Sequence, residues 1–437
     1  MSERLREAEE YLQGLINYER APSFAGARFS LAPIQALLAK LGNPERGLRV
    51  LHIAGSKGKG STALLSEALL GEAGLRTGTF TSPHLERWTE RFRVAGREID
   101  GDRLADAVAK IRPAVDALRG TENAPSFFDA TTAAALVIFA EENVDVAILE
   151  VGLGGRLDST NAVTPAVTCI TTIELEHTDK LGSTLAAIAG EKAGIVKPGA
   201  PLVTGALAPE AAAVSAQRAR EAGVPLVRLG AEITREVVSE SLGGMRVRVR
   251  DGGFSCEFDL AAAGAHQAAN AAIALACARR LGVLSDQEIA RAAERAFARV
   301  TLPGRVEIVS RAPWILIDGA HTEESAKALA HVLAQIPRRS AHLVVSISAG
   351  KALAAICAAL APHADHVTIT RAEPIRSLTP AEVADAFRAV SPALDLRIVP
   401  NPHLALRAAR ESTRETDLLC ATGSFYLAGI ARSVLRA

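Results

Sequence analysis

A glycine-rich turn with two lysines and a closing hydroxyl pair, Gly55-Ser-Lys-Gly-Lys-Gly-Ser-Thr62, follows a short apolar run and leads into a stretch of helical character over 61–72. These residue types suit a polyphosphate. Glycines let the backbone curl so that several N–H groups point inward. A helix N-terminus adds partial positive charge. Lys59 adds a full charge, and the hydroxyl of Ser61 or Thr62 can reach a phosphate or Mg²⁺. The spacing departs from the usual G-x-x-x-x-G-K-[ST]. Ile53 stands where its first glycine belongs, and Gly60 separates Lys59 from Ser61. The stretch reads instead as G-x-x-G-K-G-S after a strand. An ordinary strand-to-helix turn is the bland alternative, and it leaves the lysines and hydroxyls unexplained.

In open α/β sheets, ligands gather at the carboxyl ends of the strands. Polar residues directly after predicted strands are therefore candidates. Besides Lys59 and Ser61 they are Ser82 and His84, Glu150 with Gly152-Leu-Gly-Gly-Arg-Leu-Asp158, and Glu174-Leu-Glu-His-Thr178. The second half of the chain adds Asp318-Gly-Ala-His321, Lys351 and Thr422-Gly-Ser424. Taken singly, Glu150, Asp318 and His321 also suit helix caps, and His177 a packed loop. Taken together with the glycine-rich loop they suit a metal–nucleotide centre. A hard Mg²⁺ favours a carboxylate, a hydroxyl and phosphate oxygens, and Glu150 with Ser61 or Ser82 supplies these. A histidine donor leaves room for Mn²⁺. Glu191-Lys192 at a helix end reads by itself as a solvated pair, and its place soon after His177 draws attention to it.

The elements that must position these residues follow from periodicity. Helices are predicted over 2–18, 32–41, 101–118 (with Pro113 as a kink), 129–143 and 267–281. Strands are predicted over 50–54, 75–81, 145–150, 167–173, 201–204 and 225–227, with a hairpin over 245–258 turning at Asp251-Gly-Gly253. The charged run 86–94 reads as a loop. A boundary falls around Leu302-Pro-Gly-Arg305, after which strands are predicted at 314–318, 343–347, 366–369, 396–399 and 418–421 with helices between them. The expected fold class is α/β, with two doubly wound domains. These are an N-terminal P-loop ATPase domain with a mixed sheet over 1–299, and a smaller Rossmann-like domain over 300–437.

Bulk properties narrow the partners. Of 437 residues, 49% are hydrophobic and 22% charged, as in a globular protein with a large core. Lys+Arg and Asp+Glu balance at 49 each, so no global basicity points to nucleic acid. The five cysteines are scattered and lack C-x-x-C spacing, the pattern of buried reduced thiols in a cytoplasmic protein. The charged start of the chain is not read as a signal peptide. No apolar run approaches the roughly 18 residues of a membrane span. A monomer is expected.

The ordered motifs resemble the ATP-dependent amide ligases of the Mur ligase superfamily, in their folylpolyglutamate synthase/dihydrofolate synthase branch. They are His52-Ile-Ala-Gly-Ser-Lys-Gly-Lys-Gly-Ser61, Thr81-Ser-Pro-His-Leu85 with Thr89-Glu-Arg91, and Leu149-Glu-Val-Gly-Leu-Gly-Gly-Arg-Leu-Asp158 with Thr160-Asn161. Next come His177 with Leu181-Gly182, Glu191-Lys-Ala-Gly194, and His266-Gln267 with Asn270. Pro303-Gly-Arg305, Asp318-Gly-Ala-His321 and Thr422-Gly-Ser-Phe-Tyr426 complete the set, which covers nearly the whole chain.

The resemblance implies that ATP sits between the domains. Gly55, Ser56, Lys57, Gly58, Lys59, Gly60, Ser61 and Thr62 would hold its phosphates, Asn270 the adenine, Arg305 the phosphates and Asp318 the ribose, with His321 close by. It implies Mg²⁺ on Ser61, Ser82, Glu150, His177 and a carbamylated Lys192, with Mn²⁺ and a monovalent cation left open. Lys59, Glu150, His177, Lys192 and Arg305 would carry the catalysis. Ser82, Pro83, His84, Arg87, Phe128, Asp158, Lys351 and Ser424 would contact the pterin carboxylate or folate and L-glutamate. The implied reaction joins glutamate to dihydropteroate or folates through an acyl phosphate. A ligase with a different acid or amine, and a non-catalytic nucleotide-binding paralogue, are the alternatives. The chain departs from the family pattern at Lys57 (Asn in the family), Glu176 (Asp), Thr322-Glu323 (Asn-Pro), Gly350 and Ala352 (both Asp) and Asp129 (Glu).

Overall fold

The computed structural model describes residues 2–17 and 30–436. The chain divides into two compact units. The first runs to residue 239 and includes 245–260 and 267–300. The second takes 240–244, 261–266 and everything from 301 on.

The first unit is built on strands β1 (Val50–Ala54), β2 (Thr77–Phe80), β3 (Phe92–Val94), β4 (Arg97–Glu98), β5 (Val146–Glu150), β6 (Pro165–Ile170), β7 (Leu202–Thr204) and β8 (Leu226–Arg228). They form one mixed sheet in the order β4-β3-β2-β5-β1-β6-β7-β8. β2, β5, β1, β6, β7 and β8 are parallel, while β3 and β4 add antiparallel at one edge. β1 and β5 are buried along their whole length. That is why both read as near-continuous apolar runs, interrupted only by His52 and by Glu150 at the end of β5, rather than as alternating ones. The chain leaves β1 towards β2 on one side and crosses to β6 on the other, so the crevice beside β1 is a topological switch point.

Strands β9 (Ile233–Ser241), β10 (Gly244–Asp251) and β11 (Phe254–Leu260) make a separate three-stranded sheet. The second unit holds β12 (Glu307–Arg311), β13 (Trp314–Ile317), β14 (Ala341–Val345), β15 (His366–Ile369), β16 (Asp395–Ile398) and β17 (Leu418–Thr422). Their order is β12-β13-β17-β14-β15-β16, with β12 antiparallel to β13 and the others parallel. Helices start where the sequence supplies caps. Ser126 with Asp129, Ser285 with Glu288, and Thr379 with Glu382 each form a capping box.

Three readings need correction. The run 86–94 is not an irregular loop: Trp88–Arg91 is a 3₁₀ turn and Phe92–Val94 is β3. Its charges misled because each has a partner inside the fold. The Glu90 carboxylate accepts the Leu85 N–H at 2.8 Å. Arg91, fully buried, lies over the rings of Trp88 and Phe127 at 5.7 and 5.4 Å. Arg93 pairs with buried Glu67 at 2.8 Å. β9 escaped notice because it is mostly exposed and lacks a clean apolar face. β12 escaped because it has one short antiparallel pairing at a sheet edge. The predicted helix over 2–18 is observed as Glu3–Gln13, and position 18 lies outside the described residues.

Candidate active site

The loop after β1 is fastened to the end of β6. The Ser56 N–H donates to the Thr172 carbonyl at 2.8 Å, and the Lys57 N–H to Thr172 Oγ1 at 2.9 Å. The Thr171 hydroxyl donates back to the Lys57 carbonyl at 2.5 Å. Two glycines make this approach possible. Gly55 has φ +147°, and a Cβ there would run into the Thr171 hydroxyl. Gly58 has φ +84°, and a Cβ there would lie 2.5 Å from Asn270 Oδ1. The helix Lys59–Glu72 then begins without a side-chain cap and without an acidic residue in its first turn. Its partial positive charge is thus left for a ligand. Ser61 and Thr62 are buried in that first turn.

Charge collects around this loop. Lys59 Nζ donates to the Gly55 carbonyl at 2.8 Å, and Lys192 Nζ donates to the same oxygen at 3.0 Å. Lys192 also donates to Glu176 Oε1 at 2.9 Å, while Lys57 Nζ lies 4.0 Å from Glu176 Oε2. Burial, with Lys59 adding repulsion, pushes the Lys192 ammonium down to about 8. Burial works upward on Glu176, but Lys192, Lys59 and Lys57 outweigh it and hold its carboxyl well below the usual range. The pair expected at this helix end is therefore corrected. Glu191 pairs with Arg156 at 2.8 Å, and Lys192 is buried against Glu176. The glutamate two residues before Glu176, Glu174, donates its backbone N–H to Ser56 Oγ.

Register places Glu150 beside Ile53 at the end of β5. Its buried carboxylate accepts the Ser82 N–H at 3.1 Å, and a Cβ on Gly60 would lie 3.3 Å from Oε2. Ser82, Glu150 and the loop thus come together, a hard-donor set of the kind a divalent cation takes with phosphate oxygens and water. Among the described residues no group of three His, Cys, Asp or Glu forms a cage of its own. His177 has φ +47° and opens the short helix Thr178–Leu181.

The acid-side candidates are organised by the chain itself. Pro83 follows Ser82 through a cis peptide bond. His84 Nδ1 accepts the Arg91 Nε–H at 2.9 Å, and its ring lies 5.2 Å from Trp88. Arg87 pairs with Glu98 at 2.8 Å. The Phe128 ring fits against Gly152 and lies 5.9 Å from Phe80. Asp158 accepts the N–H groups of Gly152, Leu153 and Thr160 at 3.0, 2.9 and 3.0 Å, and the Thr160 hydroxyl at 2.5 Å. Burial pushes its carboxyl up to about 6 against those hydrogen bonds. The same Thr160 hydroxyl meets His52 Nε2 at 2.8 Å, so a buried polar chain ties the 152–158 turn to β1.

In the second unit the motif residues hold one another. Asp318 accepts the Val306 N–H and the Ala320 N–H, both at 2.7 Å, which fixes the turn carrying Arg305. The Arg305 guanidinium stacks on Phe425 at 4.0 Å, and the His321 ring lies 5.5 Å from the same phenyl. Ser424 caps the helix Phe425–Leu435 through the Leu427 N–H at 3.1 Å. Lys351 stands in the loop after β14, half-buried. Glu176 lay within the candidate stretch 174–178 without an assigned role, and Thr171 and Thr172 were not among the expected site residues. The two threonines sat inside the predicted strand 167–173, where their polarity was the only signal.

The fold and this loop define a Mur-type ligase. The family model for the Mur ligase middle domain matches residues 53–278, and that for the Mur ligase glutamate ligase domain matches residues 304–425. The chain belongs to the folylpolyglutamate synthase/dihydrofolate synthase family. It is 36% identical to the dihydrofolate synthase/folylpolyglutamate synthase of Bacillus subtilis over 337 residues, 76% of each chain. It is also 36% identical over 420 residues to a probable bifunctional folylpolyglutamate synthase/dihydropteroate synthase of Haloferax volcanii. That match takes in 93% of this chain but only 49% of the relative's length. Among solved structures, folylpolyglutamate synthase of Mycobacterium tuberculosis, complexed with ADP and AMPPCP, superposes with a TM-score of 0.87 at 33% identity, covering 99% of this chain and 98% of that one. E. coli FolC in complex with DHPP and ADP gives 0.84 at 30% identity, covering 99% and 97%.

Proposed function

We propose that the protein joins L-glutamate to a pterin carboxylate, dihydropteroate or a folate, at the expense of ATP. The observation that carries this reading is the loop after β1. It offers an uncapped helix start, Lys59 and Lys192 on one carbonyl, and the Glu150 carboxylate against Gly60. The family membership supports the same reaction.

A carboxylate is a poor acyl donor at neutral pH, so it must first be activated. The loop aligns the γ-phosphoryl group with the acid, and Lys59 and Arg305 offset the charge that develops on its oxygens. A divalent cation, Mg²⁺ in this reading, would supply further charge neutralisation when held by Glu150 and the hydroxyls of Ser61 and Ser82, with His177 of the segment after β6 as the remaining donor. The acyl phosphate is then attacked by the amine of glutamate, and phosphate leaves. Asn270, packed over Gly58, is the contact assigned to the adenine. The segment 82–94, with His84 and Trp88, and Phe128 are assigned to the pterin. Lys351 and Ser424 are assigned to the amino acid. Lys192 donates to Glu176 and to the Gly55 carbonyl, and carbamylation would convert it into an anionic donor. The protein is taken to act in the cytoplasm as a monomer. No helix among the described residues is long and apolar enough to cross a membrane.

The test is a coupled phosphate-release assay with mass-spectrometric product detection. Phosphate release should require acid and glutamate together, and the product should carry one added glutamyl residue. Well-folded protein that is silent with dihydropteroate and with every folate would overturn the proposal.

A further inference from the structure

The turn 152–158 lies between two neighbours. On one side Gly152 fits against the ring of Phe128, which is assigned above to the pterin. On the other side the turn meets the end of the helix Leu185–Ala193, which carries Lys192. This approach is close. A Cβ on Gly155 would stand 2.9 Å from the carbonyl oxygens of Glu191 and Lys192, and a Cβ on Gly194 would run into Arg156. The Arg156 N–H donates to the Glu191 carbonyl at 2.8 Å. Ile195 then packs with Ala54 of β1 and Val151 after β5, which seats the helix end on the sheet.

One buried side chain joins the two segments. Asn161, in the 3₁₀ turn Ser159–Ala162, donates through Nδ2 to the Arg156 carbonyl at 3.0 Å and to the Gly194 carbonyl at 3.2 Å. Its Oδ1 is buried and has no partner among the described residues. The side chain is therefore held there by its two N–H donors, which neither aspartate nor alanine supplies. Lys197 Nζ donates to the backbone carbonyl of Asn161 at 2.6 Å and so pins the turn Ser159–Ala162 itself. The pair Arg156–Glu191 lies nearer the surface, with the Arg156 side chain 55% exposed, and such pairs contribute little. The interior amide therefore carries the connection.

We infer that Asn161 is a positioning residue for Lys192. It locks the helix end onto the 152–158 turn and so fixes the approach of Lys192 Nζ to the Gly55 carbonyl, 3.0 Å away. The last carbonyls of a helix lack intrahelical partners, and without a partner the last turn frays. Lys192 stands in that turn, and its flexible four-carbon stem passes any backbone shift on to the ammonium. The inference rests on the ligase reading above and adds to it a residue that acts through Lys192.

The experiment uses the full-length protein with Asn161→Ala, Asn161→Asp, Lys192→Ala and the Asn161→Ala, Lys192→Ala double variant, with a melting curve for each. Asn161→Ala should lower kcat about 10²-fold, the cost of a small misplacement of a catalytic group, with the glutamate KM within about twofold of wild type. Asn161→Asp keeps the shape and loses both donors, and should match it. Calorimetry with AMPPCP should give an unchanged stoichiometry, so that the loss of rate is not a loss of folded protein. The AMPPCP affinity should weaken about fivefold in Asn161→Ala and in Lys192→Ala, the size of one lost hydrogen bond. It should weaken no further in the double variant, because residues that act through one another are not additive. A purely structural Asn161 would weaken binding by its own factor in both backgrounds. That result overturns the inference, and so does a kcat within about threefold of wild type in Asn161→Ala. Where Asn161→Ala melts early, the same calorimetry at a temperature at which all the proteins are folded decides the matter. Wild type that makes no glutamyl product overturns the ligase reading and this inference with it. Wild type that makes the product, with both Asn161 variants at wild-type rates, overturns the inference alone.

Discussion

The carboxyl edges of the two parallel sheets carry similar residues and use them differently. Beside β1, the charged groups gather on the glycine-rich loop itself. Lys59 and Lys192 share the Gly55 carbonyl, Glu176 sits between Lys57 and Lys192, and Glu150 touches the loop at Gly60. Beside β13 and β17, the motif residues are bound into the chain. Asp318 takes two backbone N–H groups, Ser424 caps a helix, and Arg305 lies on Phe425. The difference teaches that a motif carboxylate such as Asp318 can be held wholly by backbone N–H groups, while Arg305 and Ser424 keep the roles proposed for them above. A motif carboxylate is not by itself a ligand contact.

Substitutions can break or sharpen that contrast. Lys59→Ala should have the largest effect, lowering kcat/KM for ATP-driven ligation by about 10³-fold or more with an unchanged melting curve. Retention of most activity would break the assignment of the β1 edge as the catalytic one. Gly58→Ala forces an alanine to φ +84° and towards the Asn270 amide. It should destabilise the first unit by about 1–2 kcal/mol and weaken nucleotide binding, read by denaturant titration and by calorimetry with ADP. Asp318→Asn can accept only one of the two N–H groups that Asp318 holds. The expected loss is about 1–3 kcal/mol of stability with a proportionately small change in kcat. A large kcat loss without destabilisation would move Asp318 from architecture to chemistry.

The smallest effect concerns pH. Burial, helped by Lys197, holds the His52 imidazole down to about 3, and burial holds His266 and His342 down to about 4. Each must take up a proton on unfolding below the ordinary value near 6.5. Their contribution is therefore full above about 6.5 and is lost as pH falls from there towards 4. Urea midpoints measured from pH 7 to 4 should fall, and His52→Gln should flatten part of that slope.

The path from chain to fold was legible where burial leaves a strong pattern. The fully buried strands β1 and β5 announce themselves as apolar runs, and the helix Gly101–Leu118 as a periodic one. It was illegible where charges are satisfied inside the fold. Arg91 under Trp88 and Phe127, and Arg93 on Glu67, look like solvent-facing residues until their partners are known. At the site, Gly55, Lys59 and Glu150 stand out by type and by position after a strand. Thr171 does not, because its role comes from Lys57, more than a hundred residues away in the chain. Glu176 is found as a candidate, while its pairing with Lys192, sixteen residues on, is not.

By itself, the sequence determined that a strand, a glycine-rich turn and a helix would follow one another over 50–72, and that a β/α rhythm would run through both halves of the chain. Those are local consequences of residue type and period. Only the tertiary structure decided which lysine Glu176 holds, which carboxylates are engaged by backbone N–H groups, and which amide ties the 152–158 turn to the helix end that carries Lys192. Hydrogen-bond partners and burial are properties of groups that the fold brings together, and no spacing along the chain encodes them.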